Sequence, residues 1–190
     1  TGTEEPIKDI LERDDYMVID KRDKCINVLP KSVEVITRER AIRIIQALPK
    51  NQKTIYYTNS TGRSIYGKKS LFYRLKDYAE GEIAFAVSKS KAKEIEKKAK
   101  DGFGNLCEIS EDTKKFIIEN NRLPEKVRVL ITTSTLKEGI NILSEDIKVA
   151  FCESHLLSDI QQFAGRVRNG LEKLYIINDA RQFDMTPKQY

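Results

Sequence analysis

The sequence predicts an α/β fold in which a mainly parallel β-sheet is covered by helices on both faces. From about residue 46 onward, short runs rich in β-branched and aromatic residues alternate with longer stretches whose apolar residues recur at helical spacing. The short runs lack a strict polar alternation, which is typical of strands that are buried on both faces of a parallel sheet. Such sheets carry their functional residues in loops beyond the carboxyl ends of the strands.

Five segments are predicted to be strands. They are, in order, Lys53–Tyr57, Glu82–Val87, Val127–Thr132, Ile147–Cys152 and Leu174–Ile177. Helices are predicted between them at Ser70–Glu80, around Lys89–Lys100, at Lys114–Asn120 and from Asp159 to about Asn169. In the last helix, Ser158 and Gln161 have the spacing of a capping box, so we expect the helix to begin at Asp159. Gly170 is well placed to end it.

The first 45 residues have a different pattern. Tyr16–Asp20 and Cys25–Leu29 flank a charged turn and predict a β-hairpin, and Val33–Ala47 is expected to contain a helix that enters the first core strand. We therefore divide the chain into a connector, residues 1–45, and an α/β domain, residues 46–190. Because the chain opens on Thr1 without an initiator methionine, we expect it to be an excised part of a longer protein.

The composition narrows the class of protein only slightly. Lys and Arg number 34 against 29 Asp and Glu, and the net charge of +5 is compatible with a polyanionic partner without requiring one. Three widely separated cysteines and the single His155 offer no plausible zinc site, so we expect no metal bound by this chain and reduced thiols in a cytoplasmic protein. We find no signal peptide, and no apolar run approaches the roughly 18 residues that span a bilayer, so no membrane association is expected.

Gly62–Lys69 almost fits the phosphate-binding loop pattern GxxxxGK[ST]. In a true loop of this kind the final Ser or Thr hydroxyl binds magnesium, but here that position is Lys69, and Ser70 comes one residue late. Because a lysine cannot ligate magnesium, we interpret the segment as a basic surface loop or a contact to a nucleic-acid backbone. We expect no ATPase activity from this chain alone.

Two later segments carry most of the functional information. Leu130–Ile142 is dense in hydroxyl groups after a strand, and Gly139 in it permits close backbone approach, as phosphate contacts require. In Ser158–Gly170, Gln162 and Arg166 are four residues apart, so they would share one face of a helix. If each segment stood alone, the first would be explained by an ordinary strand-to-loop transition and the second by a solvated helix face.

Together the two segments resemble motifs V and VI of superfamily 2 helicases, within the second RecA-like domain. The residues that match motif V are Thr133, Gly139 and Asn141, and those that match the QxxGR core of motif VI are Gln162, Gly165 and Arg166. Thr58, Asn59 and Ser60 stand where motif IV is expected, and Ser88 ends the next strand. Glu138 departs from the Arg of many relatives, which argues against the DEAD-box subgroup. Arg168 follows Arg166 by two residues instead of three, which would put the two side chains about 200° apart around a helix.

The resemblance implies a RecA-like three-layer domain of an ATP-dependent helicase that acts on DNA or RNA. Its expected partners are that nucleic acid and an N-terminal RecA-like domain of the same chain. That domain would hold most of the ATP and Mg²⁺. Arg166 would act as the arginine finger, and Arg168 would join it only if the helix already unwinds near Gly170. Gln162 would orient the arginine finger or touch phosphate, while Gly139, Asn141 and Gly165 line the nucleotide. Nucleic-acid contacts would come from Thr58, Asn59, Ser60, Ser88 and Thr133. A monomer is expected.

Two other classes of function stay open at this point. A non-catalytic nucleic-acid-binding module with a degenerate helicase-like fold could use the lysine-rich helix Lys89–Lys100, although Glu94 and Glu96 interleave there and favour a solvated helix. A small-molecule enzyme could use Cys152–His155, although adjacent residues on an extended chain point to opposite sides.

Overall fold

The computed structural model describes residues 30–58, 74–75, 81–88, 111–134, 141–154, 156–168 and 170–178. The strands in these ranges are β1 (Ser32–Ile36), β2 (Lys53–Thr58), β3 (Ile83–Ala86), β4 (Val129–Thr132), β5 (Ile147–Glu153) and β6 (Lys173–Ile177). The helices are α1 (Arg38–Ala47), α2 (Glu111–Asn120) and α3 (Leu157–Ala164).

The strands form one six-stranded sheet in the order β1-β6-β5-β2-β4-β3, and every neighbouring pair is parallel. This confirms the predicted α/β class with its parallel sheet. In the centre, Tyr57 of β2 is in register with Thr132 of β4 on one side and with Cys152 of β5 on the other. The carboxyl ends of these three strands therefore meet at one edge, where such sheets place functional loops.

Alternate residues of the central strands enter two separate apolar cores. Tyr56 and Phe151 belong to the core beneath α1, and their rings stack with centroids 6.1 Å apart. Tyr57 belongs to the opposite core, where its ring lies 5.3 Å from that of Phe163 in α3. Burial on both faces explains why β2 has apolar residues at consecutive positions instead of a polar alternation.

The segment before β2 contains the helix predicted within Val33–Ala47, at Arg38–Ala47. Only its second part is helical, because Ser32–Ile36 forms β1 and pairs with β6. Thr37 separates the two elements and caps α1, its side-chain oxygen accepting a hydrogen bond from the backbone N–H of Arg40 at 3.3 Å. The predicted boundary between residues 45 and 46 falls inside α1. The division of the chain otherwise stays a prediction, since the proposed hairpin lies outside the described residues.

The prediction for α3 was wrong at both ends. The helix begins at Leu157, and Ser158 lies exposed within its first turn instead of capping it. The N-cap residue is Leu156, and no side chain caps the helix. Before it, the buried Ser154 Oγ donates a hydrogen bond to a carboxylate oxygen of the buried Asp159 at 2.9 Å and accepts one from the backbone N–H of Leu156 at 3.3 Å. The helix ends at Ala164, because the residues that follow turn away and pair with another segment.

Several other predictions fall outside the described residues. The loop at 62–69 and the helix at 89–100 lie there, as does all of the helix at 70–80 except residues 74 and 75. Among the helices that the structure describes, none is long and apolar enough to cross a membrane.

Candidate functional site

The carboxyl edge of the sheet presents a row of threonines. Thr58 ends β2, Thr132 ends β4, and Thr133 follows it. All three are buried. The Thr132 hydroxyl lies 3.0 Å from the carbonyl oxygen of Ala86 in β3, so its hydrogen is used inside the fold. Ser88, which follows β3, is half-buried and is therefore more accessible than Thr58 or Thr133. Whether these hydroxyls contact a nucleic acid stays a prediction.

A main-chain bridge joins the segment that resembles motif V to the one that resembles motif VI. The backbone N–H of Ile142 donates to the carbonyl oxygen of Arg166 at 2.8 Å, and the N–H of Arg168 donates to the carbonyl oxygen of Ile142 at 2.9 Å. These two bonds make a parallel bridge between Ile142 and Val167, both of which are completely buried. The two segments are thus held together through the backbone and not by side chains alone.

The bridge fixes the backbone on both sides of Val167. The carbonyl oxygen of Arg166 and the N–H of Arg168 both bond to Ile142, so the backbones of the two arginines flank one contact. Arg166 is half-buried and Arg168 is exposed. The two arginines therefore lie beside the same backbone bridge, beyond the end of α3.

Asn141 contacts one of the two arginines, Arg168, directly. Its side-chain oxygen Oδ1 accepts a hydrogen bond from Nε of Arg168 at 3.1 Å. Asn141 is half-buried, next to the fully buried Ile142. A guanidinium held in this way keeps its terminal Nη groups for an anion, so the arrangement suits the binding of phosphate.

Gln162 and Gly165 are placed differently from what a continuous helix would require. Gln162 lies exposed on α3, but Arg166 lies beyond the helix, so the expected shared helix face does not exist. Gly165 is the C-cap of α3, with a φ of −67° that any residue adopts. A Cβ at this position would lie 3.3 Å from the carbonyl oxygen of Gln161, so a side chain there would require a small adjustment of the helix end.

Some predicted site residues are not described, and a metal site is not evident in the rest. Asn59, Ser60 and Gly139 lie outside the described residues. In the described part of the chain, no group of three or more His, Cys, Asp and Glu residues could hold a metal ion.

The sequence did not reveal the ion pair at the end of β5. Glu153 pairs with Arg38 at the start of α1, and the Tyr56 hydroxyl lies 3.4 Å from the same carboxylate. Cys152 lies in the opposite core and is fully buried, so the thiol and the neighbouring carboxylate do not converge. This geometry disfavours a small-molecule active site at 152–155. The apolar run of β5 ending in an acidic residue was the only sequence signal for the pair.

Comparisons with known proteins agree with the architecture. No protein-family model matches the chain, and no curated protein matches it. The structure is similar to that of Saccharomyces cerevisiae Dbp5 bound to RNA and ADP BeF3, with a TM-score of 0.51 and 13% sequence identity over 95% of this chain and 43% of the Dbp5 chain. The chain has a RecA-like fold.

The same comparison sets the extent of the likeness. The chain spans less than half of the Dbp5 chain. The Escherichia coli DEAD-box protein SrmB, bound to regulator of ribonuclease activity A, aligns with a TM-score of 0.35 and 18% identity over 72% of this chain and 82% of the SrmB chain, which is too weak to support an argument. The likeness to Dbp5 concerns the RecA-like fold alone. The argument from Glu138 against the DEAD-box subgroup therefore stays a prediction.

Proposed function

We propose that this RecA-like domain is the C-terminal half of an ATP-dependent DNA or RNA helicase or translocase of superfamily 2. The observation that carries the proposal is the bridge between Ile142 and Val167, because it unites the two segments that resemble motifs V and VI. Arg166, Arg168 and Asn141 thereby lie at one place, although they come from segments about 25 residues apart. A solvated helix face, the simplest alternative for the arginines, does not account for this pairing.

In the proposed mechanism the nucleotide lies between two RecA-like domains. The N-terminal domain of the same chain holds most of the ATP and Mg²⁺, and this half closes over the γ-phosphate. Arg166 and Arg168 then stabilise the negative charge that develops on the transferred phosphoryl group, a contribution of about 10³–10⁵ in rate for arginine fingers. Gln162 and Gly165 belong to the same junction, and Gly139 and Asn141 approach the nucleotide from the other segment.

The nucleic-acid strand is proposed to cross the carboxyl edge of the sheet. Thr58, Asn59, Ser60, Ser88 and Thr133 are the proposed phosphate contacts, with Ser88 the most accessible of those that are described. Contacts to phosphates position a strand without reading its bases, so binding should be weak in the isolated domain, salt-sensitive and indifferent to sequence. Opening and closing of the two domains would move the strand.

The decisive experiment measures nucleic-acid-stimulated ATP hydrolysis by the full-length protein carrying Arg166→Ala. We expect kcat to fall by at least about a hundredfold, with little change in folding or nucleic-acid affinity, because the guanidinium acts on charge that exists only in the transition state. Arg166→Lys should restore little, since an ammonium cannot reproduce the guanidinium fork. Arg43→Ala is the matched control, because Arg43 is exposed on α1, which packs in the opposite core.

Four results would count against this function. Unchanged turnover in Arg166→Ala removes the arginine-finger assignment. Loss of folding in that variant makes Arg166 a structural residue. A full-length protein that binds nucleic acid but never hydrolyses ATP favours the non-catalytic module instead. Hydrolysis by the 190-residue chain alone would contradict the assignment of ATP binding to a second domain.

A further inference from the structure

We infer that Asn141 is a positioning residue that acts through Arg168, orienting its guanidinium toward the anionic ligand. The inference rests on the proposed function for its ligand, the phosphates of ATP, but its geometry stands on the hydrogen bond between Asn141 Oδ1 and Arg168 Nε. Asn141 lies near the proposed nucleotide site, and it contributes there by orienting Arg168.

The atom that Asn141 engages is the informative one. An arginine has one donor at Nε and four at the two Nη groups, in a fixed planar fork. Among the described residues, the guanidinium of Arg168 has the Nε bond to Asn141 and no other hydrogen bond or ion pair. The bond therefore fixes the plane of the fork while leaving the Nη edge, which binds phosphate in a bidentate manner, directed away from Asn141.

The backbone limits how far the two partners can separate. Arg168 donates its own N–H to Ile142, the residue next to Asn141, and the buried Ile142 and Val167 hold that contact in the core. Asn141 has a short side chain with few rotatable bonds, so its oxygen Oδ1 stays close to Nε of Arg168. A long exposed side chain is thus restrained by a short one whose position is set by the fold.

The acceptor is an amide, and this choice matters for charge. A neutral oxygen restrains the guanidinium without forming an ion pair, so the full positive charge of Arg168 remains available to a phosphate. Two substitutions separate the components of this role. Asn141→Leu keeps a similar volume and removes the acceptor, whereas Asn141→Asp keeps an acceptor oxygen for Nε at the same place.

The first measurement tests the contact without any turnover. In NMR spectra of the 190-residue chain, the Nε–H of Arg168 should exchange with solvent more slowly than that of Arg43, which is exposed on α1. Arg168→Lys identifies the signal by removing it. Asn141→Leu should bring the exchange rate of Arg168 close to that of Arg43, and Asn141→Asp should keep it slow. Equal exchange rates for Arg168 and Arg43 in the unsubstituted chain would overturn the inference.

The second measurement tests the consequence in the full-length protein. Asn141→Leu should lower kcat by about five- to twentyfold with little change in KM for ATP, the size expected when one hydrogen bond to a charged, exposed group is lost. Asn141→Asp should also lower kcat although the Nε bond persists, because its carboxylate forms an ion pair with Arg168 and offsets the positive charge that acts on phosphate. Asn141→Leu combined with Arg168→Ala should be no slower than Arg168→Ala alone, because the asparagine acts only through that arginine.

The outcomes distinguish this inference from the proposed function. If Arg168→Ala impairs turnover and Asn141→Leu does not, or if their effects multiply in the double variant, the positioning role is wrong and the helicase assignment stands. If Arg166→Ala impairs turnover and Arg168→Ala does not, the positioning role again fails. If neither arginine variant affects turnover, the proposed function fails, whatever the NMR result.

Discussion

The ion pair between Arg38 and Glu153 offers the sharpest test of the fold around the candidate site. It joins the start of α1 to the end of β5, across 115 residues of sequence, and its side chains are only 16% and 8% exposed. Glu153→Ala removes a carboxylate that also lies 3.4 Å from the Tyr56 hydroxyl, and it takes the Glu153 partner away from a mostly buried guanidinium. Losing a charged partner at a buried group is far more costly than losing a surface contact.

The expected cost follows from the burial of the two groups. Breaking a fully buried ion pair by removing one partner costs about 3–5 kcal/mol. Arg38 keeps some access to water, so we expect about 2–4 kcal/mol for Glu153→Ala, which corresponds to a fall in Tm of about 4–15 °C for a chain of this size. Replacing both partners, with Arg38→Met and Glu153→Leu, should restore most of the lost stability, because apolar residues of similar size leave no buried charge.

Urea unfolding of the 190-residue chain, followed by circular dichroism, measures the free energy of unfolding of each variant. The chain contains a matched control in Lys115 and Glu119, an exposed pair on α2 with nitrogen and oxygen 3.9 Å apart and side chains 74% and 58% exposed. Glu119→Ala should cost less than about 0.5 kcal/mol. If Glu153→Ala costs no more than Glu119→Ala, the pair is not buried as described and the reasoning fails.

Two further predictions concern helix α3 and the outer strands β1 and β6 of the sheet. Asp159→Ala should lower the free energy of unfolding by about 1.5–3 kcal/mol, because a buried, charge-assisted hydrogen bond to Ser154 is lost. Ser158→Ala should change it little. If urea unfolding shows equal effects for the two substitutions, Ser158 is the N-cap and the reasoning is wrong. Glu34 lies on the outermost strand β1, and Lys173 lies on its neighbour β6. The hydrogen bond from Lys173 lowers the pKa of the Glu34 carboxyl below its usual 4.5. Stability from this pair is therefore present above the unfolded pKa of Glu34 and is lost as the pH falls through the folded one. A carboxyl NMR titration should show the lowered pKa in the unsubstituted chain and a return toward 4.5 in Lys173→Ala, and an identical pKa in both would contradict the assignment.

The sequence by itself determined the class of fold and the approximate places of the central strands. Those strands are buried on both faces, so their apolar runs are continuous and visible without any knowledge of their neighbours, as at Tyr56 and Tyr57. The same runs located the edge of the sheet where site residues gather. The resemblance to motifs V and VI then singled out Asn141, Arg166 and Arg168, but their spatial relation was not contained in it.

Only the tertiary structure decided how those residues meet. A helical pattern continues past Ala164 in the sequence, yet the helix stops there because Val167 gains a backbone partner, Ile142, from a segment 25 residues earlier. Ser158 has the local spacing of a cap, but the helix begins one residue before it, and the buried Ser154 binds Asp159 instead. Local propensity reports on neighbours in sequence, whereas a backbone bridge or a buried carboxylate is stabilised by groups that folding alone brings near, so such features override it.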